Sequence, residues 1–99
     1  MGRYDVYVAP DGCGYVVDVQ SDVLEDLNTR VVVPLMSLAT APKPAERLNP
    51  VFEINGDDHV LVTQFLSSVP VKLLGSAVEN IDQHHLEIVS AVDMLLQGY

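Results

Sequence analysis

The sequence contains no tryptophan, one cysteine and only five basic residues among 99. Each shortage excludes something. A single cysteine, Cys13, rules out an internal disulfide and fits a reducing compartment. Arg3, Arg30, Lys43, Arg47 and Lys72 are scattered, so no basic cluster stands ready to neutralise phosphates, and direct nucleic-acid binding is not expected. Against these five stand fourteen acids, for a formal net charge of −9. Such a charge keeps a small domain soluble and, as a field, favours a basic protein surface as partner. Long apolar runs are missing too. Val31-Val32-Val33 falls far short of the ~20 residues a membrane helix needs. The opening MGRYDVYVAP lacks the apolar stretch of a signal peptide. The reading is a cytoplasmic protein without membrane contact.

What the chain has in plenty is valine, seventeen residues of it. β-branched side chains favour strands, so a mainly β fold is expected. Apolar residues make up 48% and charged residues 19%, the balance of a globular protein. Residues 1–99 read as a single domain. A chain of this size buries roughly 65% of the surface its unfolded form exposes, a margin that dimerisation would widen.

Tyr4, Val6 and Val8 alternate with Arg3, Asp5 and Tyr7, the pattern of a half-buried strand. Pro10-Asp11-Gly12-Cys13-Gly14 is a turn, and Tyr15 to Gln20 a second strand. Ser21 to Asn28 reads as one helical turn or a loop. Thr29 to Leu35 is a third strand, which Pro34 ends or marks as an edge. Ala39 to Ala45 is a loop. Val51 to Ile54 and His59 to Gln64 are strands joined through Asn55-Gly56-Asp57-Asp58, where Asn-Gly signals a hairpin. Val69 to Gly75 is a strand interrupted by Pro70. The period then changes. Ile81, His85, Ile88, Val89, Val92, Leu95 and Leu96 recur at three and four residues, one face of an amphipathic helix. Asn80, with Gln83 three residues on, and Asp82 compete as N-caps, and Gly98 is the natural C-cap. Five or more short strands over about 1–75, followed by a helix over about 82–96, make a small β-barrel or curved sheet closed by a helix. The sequence closes on LLQGY, apolar where a solvated end is usual. Either this tip folds back on the core or it is a contact surface.

Signals for chemistry are sparse. His84 and His85 are adjacent, so on a helix they point ~100° apart and do not form the i, i+4 metal pair; no metal and no cofactor is expected. Cys13 sits in a glycine turn with no base assigned to it by any motif. Asp22, Glu25 and Asp26, and Asp57 with Asp58, cluster beside turn residues, where carboxylates are solvated rather than split into acid and base. No G-x-S-x-G, P-loop or dinucleotide fingerprint is present. The chain reads as a binding or inhibitory protein, not an enzyme.

From Tyr15 to Asp22, YVVDVQSD, the sequence resembles the CcdB family, the toxin half of a bacterial toxin–antitoxin module. The resemblance continues through RVVVPL (Arg30 to Leu35), LNPVFEI (Leu48 to Ile54), VLVTQ (Val60 to Gln64) and SVPVKLLG (Ser68 to Gly75), in family order over nearly the whole chain. It implies an SH3-like barrel of antiparallel strands with a small extra sheet and a C-terminal helix. It also implies a homodimer that binds the A subunit of DNA gyrase and traps the cleaved-DNA complex, blocking replication. A CcdA-type antitoxin relieves the poison, and the pair represses its own operon. The gyrase-binding residues implied are Val23 and Leu24, just after the VDVQSD block, and Gln97, Gly98 and Tyr99 at the end of the helix; Asp93, one turn before Gln97 on the same face, joins them as a candidate from the sequence itself. Gln97 is a departure, because the best-known members carry a tryptophan there that stacks on a gyrase arginine. Tyr99 would supply a ring from two residues on, Gln97 a carbonyl acceptor, and Asp93 an ion pair. Loops Pro10 to Gly14 and Ala39 to Arg47, which match antitoxin-contacting loops, are the least family-like parts. The dimer contact is expected as side-chain packing near Val69-Pro70-Val71. Two other readings compete: a degenerate, non-toxic homologue that binds antitoxin as a decoy, and an SH3-like interaction module.

Overall fold

The computed structural model describes residues 2–99. Seven antiparallel strands form a curled sheet: β1 (Asp5–Val8), β2 (Tyr15–Asp18), β3 (Thr29–Ser37), β4 (Val51–Ile54), β5 (Asp57–Leu61), β6 (Ser67–Pro70) and β7 (Glu79–Asn80). One helix, α1 (His85–Gln97), follows. The fold is mainly β, a half-barrel closed by a C-terminal helix, as the family resemblance implies. The order along the sheet is β4-β5-β3-β2-β1-β7, with β6 also on β3. The long strand β3 explains how both fit. Its first half, Thr29 to Val32, pairs with β6, and its last three residues pair with β5. With β4, this second half makes the small three-stranded extension of the barrel.

Pro34 neither ends β3 nor marks an edge. It lies inside the strand, opposite Val16 of β2. Its carbonyl accepts from Val62 N–H at 2.9 Å, so its missing N–H also falls on the side away from β2. There β6 has already ended and β5 has not begun, and no ladder bond is lost. The hairpin β4–β5 is tighter than expected. Only Asn55 and Gly56 form the turn, both at positive φ (53° and 87°), the type I′ geometry that matches strand twist. Asp57 and Asp58 belong to β5, whereas Thr63–Phe65 leaves the sheet as a 3₁₀ turn. β6 likewise gives way to a 3₁₀ turn, Val71–Leu73.

The core has two parts because β1 and β2 are covered on both faces. Val6, Val17, Val33, Leu35, Phe52, Ile54 and Leu61 pack with Ile81, Ile88 and Ala91 under the helix, while Tyr7, Val16, Val32 and Leu74 form a second cluster on the other face. The half-buried alternation read for the first strand therefore gives way: Val6 and Tyr7 are both buried and Val8 is exposed. Tyr4 lies outside the strand at φ 72°. The helical stripe is also shorter than its sequence period. Ile88 and Ala91 are the buried residues of α1. Ile81 is buried ahead of the helix, and Leu96 is exposed. A 3₁₀ turn at Asp82–His84 leads into α1, and Asn80 Oδ1 accepts from Asp82 N–H at 2.9 Å. Neither Asn80 nor Asp82 is the N-cap of α1, a place that His84 takes; Asn80 instead bonds the first residue of the 3₁₀ turn, whose own cap residue is Ile81.

Candidate functional site

The sequence singles out two places, the segment after VDVQSD and the end of α1. The first rests on a polar scaffold built by the block itself. Val17 belongs to the core. Asp18 is fully buried; its Oδ2 accepts from Arg30 Nε at 2.7 Å and its Oδ1 from Gln20 N–H at 3.0 Å. Arg30, also fully buried, donates a second bond from Nη2 to the Gln20 carbonyl at 3.2 Å. A buried charge pair is retained at a high desolvation cost, so its value lies in fixing one geometry. Gln20 then bridges outward: its Oε1 accepts from Val31 N–H of β3 at 2.9 Å, and its Nε2 donates to the Leu24 carbonyl at 3.2 Å. Ser21 Oγ accepts from Val23 N–H at 3.3 Å, the cap of a 3₁₀ turn over Asp22–Leu24. Asp22 Oδ1 accepts from Arg3 N–H at 2.7 Å.

Asp18 and Gln20 are thus turned inward, while the two apolar side chains of the turn are left outside. Val23 is 90% exposed and Leu24 46%. Val23 thus stands almost wholly in water on a turn that is held by hydrogen bonds. The sequence reading names the pair from the family resemblance and does not foresee this support. The signal was present: Asp18 sits inside an apolar run and Arg30 opens another, and charges there are buried only when paired.

The second place is the tip of α1. Gly98 is the C-cap, at φ 80°, with its N–H donating to the Met94 carbonyl at 3.0 Å. That left-handed residue is where glycine is favoured. It ends the helix and leaves Leu96 69% and Tyr99 75% exposed. Of the two leucines placed on the buried stripe, Leu95 is half-buried and Leu96 is not buried. The helix is seated by Ile88 and Ala91, and beyond them its last turn has no core to meet. Gln97 Nε2 approaches Asp93 Oδ1 at 3.4 Å, so the amide hydrogen faces the carboxylate and the Gln97 carbonyl oxygen stays free. The start of α1 is latched from two sides. The Tyr4 hydroxyl bonds His85 Nδ1, and the His84 ring stacks on Phe52 with centroids 4.3 Å apart. The adjacent histidines point to different partners, as their spacing predicts. Burial pushes the Tyr4 hydroxyl pKa up, partly offset by the Arg3 charge.

The remaining candidates stay apart. Cys13 is exposed in its turn, where Asp11 Oδ1 accepts from its N–H at 2.9 Å. His59 Nδ1 bonds the Asp57 carbonyl at 2.9 Å. Among the described residues no three His, Cys, Asp or Glu side chains group as metal ligands. Among the described residues no helix is long and apolar enough to cross a membrane. Val69, partly buried, packs against the second core cluster. A protein-family model described as "CcdB protein" matches residues 3–98 of this chain.

Proposed function

The chain belongs to the CcdB family, the toxins of toxin–antitoxin modules, and from this premise we propose that it acts as a homodimer on the A subunit of DNA gyrase, trapping the cleaved-DNA complex. Val23, Leu24, Asp93, Gln97, Gly98 and Tyr99 are the proposed contact residues. The observation that carries this reading is the exposure of Val23, Leu24, Leu96 and Tyr99 on a hydrogen-bonded turn and a capped helix end. Exposed apolar side chains in fixed positions contribute to binding by burial without a cost of ordering.

Gln97 stands where relatives carry an indole, and Asp93 suggests how it serves. With its amide hydrogen turned to Asp93, Gln97 presents a carbonyl acceptor next to a carboxylate. Two acceptors one helical turn apart suit the fork of a guanidinium. The arginine held by stacking in relatives would here be held by hydrogen bonds. The antitoxin is of the CcdA type and lifts the poison. The dimer forms by side-chain packing near β6, where Phe65 and Leu73 are exposed.

Expression in a gyrase-bearing bacterium tests the reading: growth stops and cleaved gyrase–DNA complexes accumulate. Harmless expression of folded protein that still binds its antitoxin would instead support the decoy reading, which the loss of tryptophan favours. Folded protein that binds neither gyrase nor an antitoxin would leave only an SH3-like interaction module.

A further inference from the structure

We propose that Arg3 is a positioning residue that joins the two halves of the contact surface, an inference that rests on the gyrase reading for its consequence but not for its geometry. Among the described residues no hydrogen bond or ion pair links the Asp22–Leu24 turn directly to the last two turns of α1. Arg3 touches both. Its N–H donates to Asp22 Oδ1 at 2.7 Å, at the root of the turn. Its side chain lines a cleft of about 100 Å³ with Val19, Ile88, Val89, Val92 and Asp93. Its guanidinium carbon lies 4.8 Å from the centroid of the Tyr4 ring, and the Tyr4 hydroxyl bonds His85 at the start of the helix. Its carbonyl accepts from Asn80 Nδ2 at 3.1 Å, and Asn80 Oδ1 accepts from Asp82 N–H at the start of the turn leading into α1.

Two features mark a role beyond solvation. Arg3 Nε is buried without a hydrogen-bond partner. A buried, unpaired donor in a native protein calls for an explanation, and an exposed arginine with water available would not adopt that pose for solubility. The guanidinium is instead spread over an aromatic face between sheet and helix, the use to which a weakly hydrated planar cation is suited. Moreover, Arg3 forms one wall of the small cleft against α1, so its position is tied to the helix, and loosening its side chain loosens the backbone N–H that Asp22 accepts from.

The charge of Arg3 gives the test a sign. If the contact surface attracts a partner arginine through Asp93, removing the positive charge of Arg3 strengthens that attraction. A mere bystander would then bind gyrase equally well or more tightly after Arg3→Ala. A positioning residue predicts the reverse, because preorganisation is lost. The experiment measures affinity of the full chain for the intact gyrase A subunit, together with amide hydrogen exchange of the free protein. Arg3→Ala is expected to weaken binding about 10-fold and to speed exchange both at 22–27 and at 92–97, with β3 unchanged. Lys72→Ala, the same loss of charge elsewhere, is expected to do neither. Arg3→Lys keeps the stem and the charge and is expected to stay within about 3-fold of wild type. Unchanged exchange at either segment in Arg3→Ala would overturn the inference, whatever gyrase does. Changed exchange at both, with no binding of wild type to gyrase, would support the joint and remove the gyrase reading.

Discussion

At the scale of single residues, Gln97 and Asp18 illustrate two different dependencies. Gln97 is exposed and its neighbour Asp93 half-buried, so their effect is on affinity and not on stability. Gln97→Trp restores a stacking surface for a cation, worth ~0.5–2 kcal/mol depending on desolvation. It is expected to tighten gyrase binding about 2- to 30-fold, measured by titration calorimetry. Asp93→Ala with Tyr99→Ala is expected to weaken it; affinity equal to wild type would remove both residues from the surface. Asp18 is the opposite case. It is fully buried against a fully buried Arg30, and Asp18→Ala strands a guanidinium in the core. The expected loss is about 3–5 kcal/mol, read as a lower urea midpoint. A cost near zero would mean that water reaches Arg30.

At the scale of elements, the C-cap decides how the tip is presented. Gly98 adopts φ 80°, and a Cβ built there meets nothing within 4 Å. Gly98→Ala is therefore penalised by backbone conformation alone, about 1 kcal/mol. Faster exchange over 94–99, with an unchanged core, is the expected signature. The elements were unequally legible in the sequence. The Gly98 cap and the Asn55-Gly56 turn follow from local chemistry and stand where local chemistry puts them, whereas α1 begins only at His85, after a 3₁₀ turn. Pro34 does not, because its tolerance depends on which neighbour strand is absent at that point of β3, a fact of topology. β7 has only Glu79 and Asn80, too few residues for a period. The burial of Val6 and Tyr7 on opposite faces hides the alternation that a one-sided strand would show. In the candidate site, Val23 and Leu24 come from the family resemblance. The supporting links through Gln20, Arg30 and Arg3 are long-range and have no sequence spacing of their own.

At the scale of the whole molecule, charge and burial set the response to conditions. The buried Arg30–Asp18 pair removes one charge of each sign from the surface, so the groups left outside still carry the net −9. Association with a basic partner surface is expected to slow as salt rises, with dissociation less affected, and stopped-flow rates at two ionic strengths check this. Burial raises the pKa of Tyr7, aided by the charges of Asp5 and Asp18, and burial also raises that of Tyr4. With folded values above the ordinary 10.0, the unfolded chain loses these protons first as pH climbs. The stabilisation from keeping both phenols neutral is whole below pH 10 and is lost as pH rises through their folded values. Urea midpoints at pH 9 and 11 are expected to fall, and less steeply in Tyr7→Phe. The most direct test of the central claim adds purified protein to gyrase and supercoiled DNA and follows the enzyme–DNA complex. Linear DNA released on denaturing that complex, increasing with added wild-type protein and abolished in a Val23→Asp, Leu24→Asp double variant that still folds, is the predicted result. Folded wild-type protein that neither binds the A subunit nor raises the linear product would contradict the account.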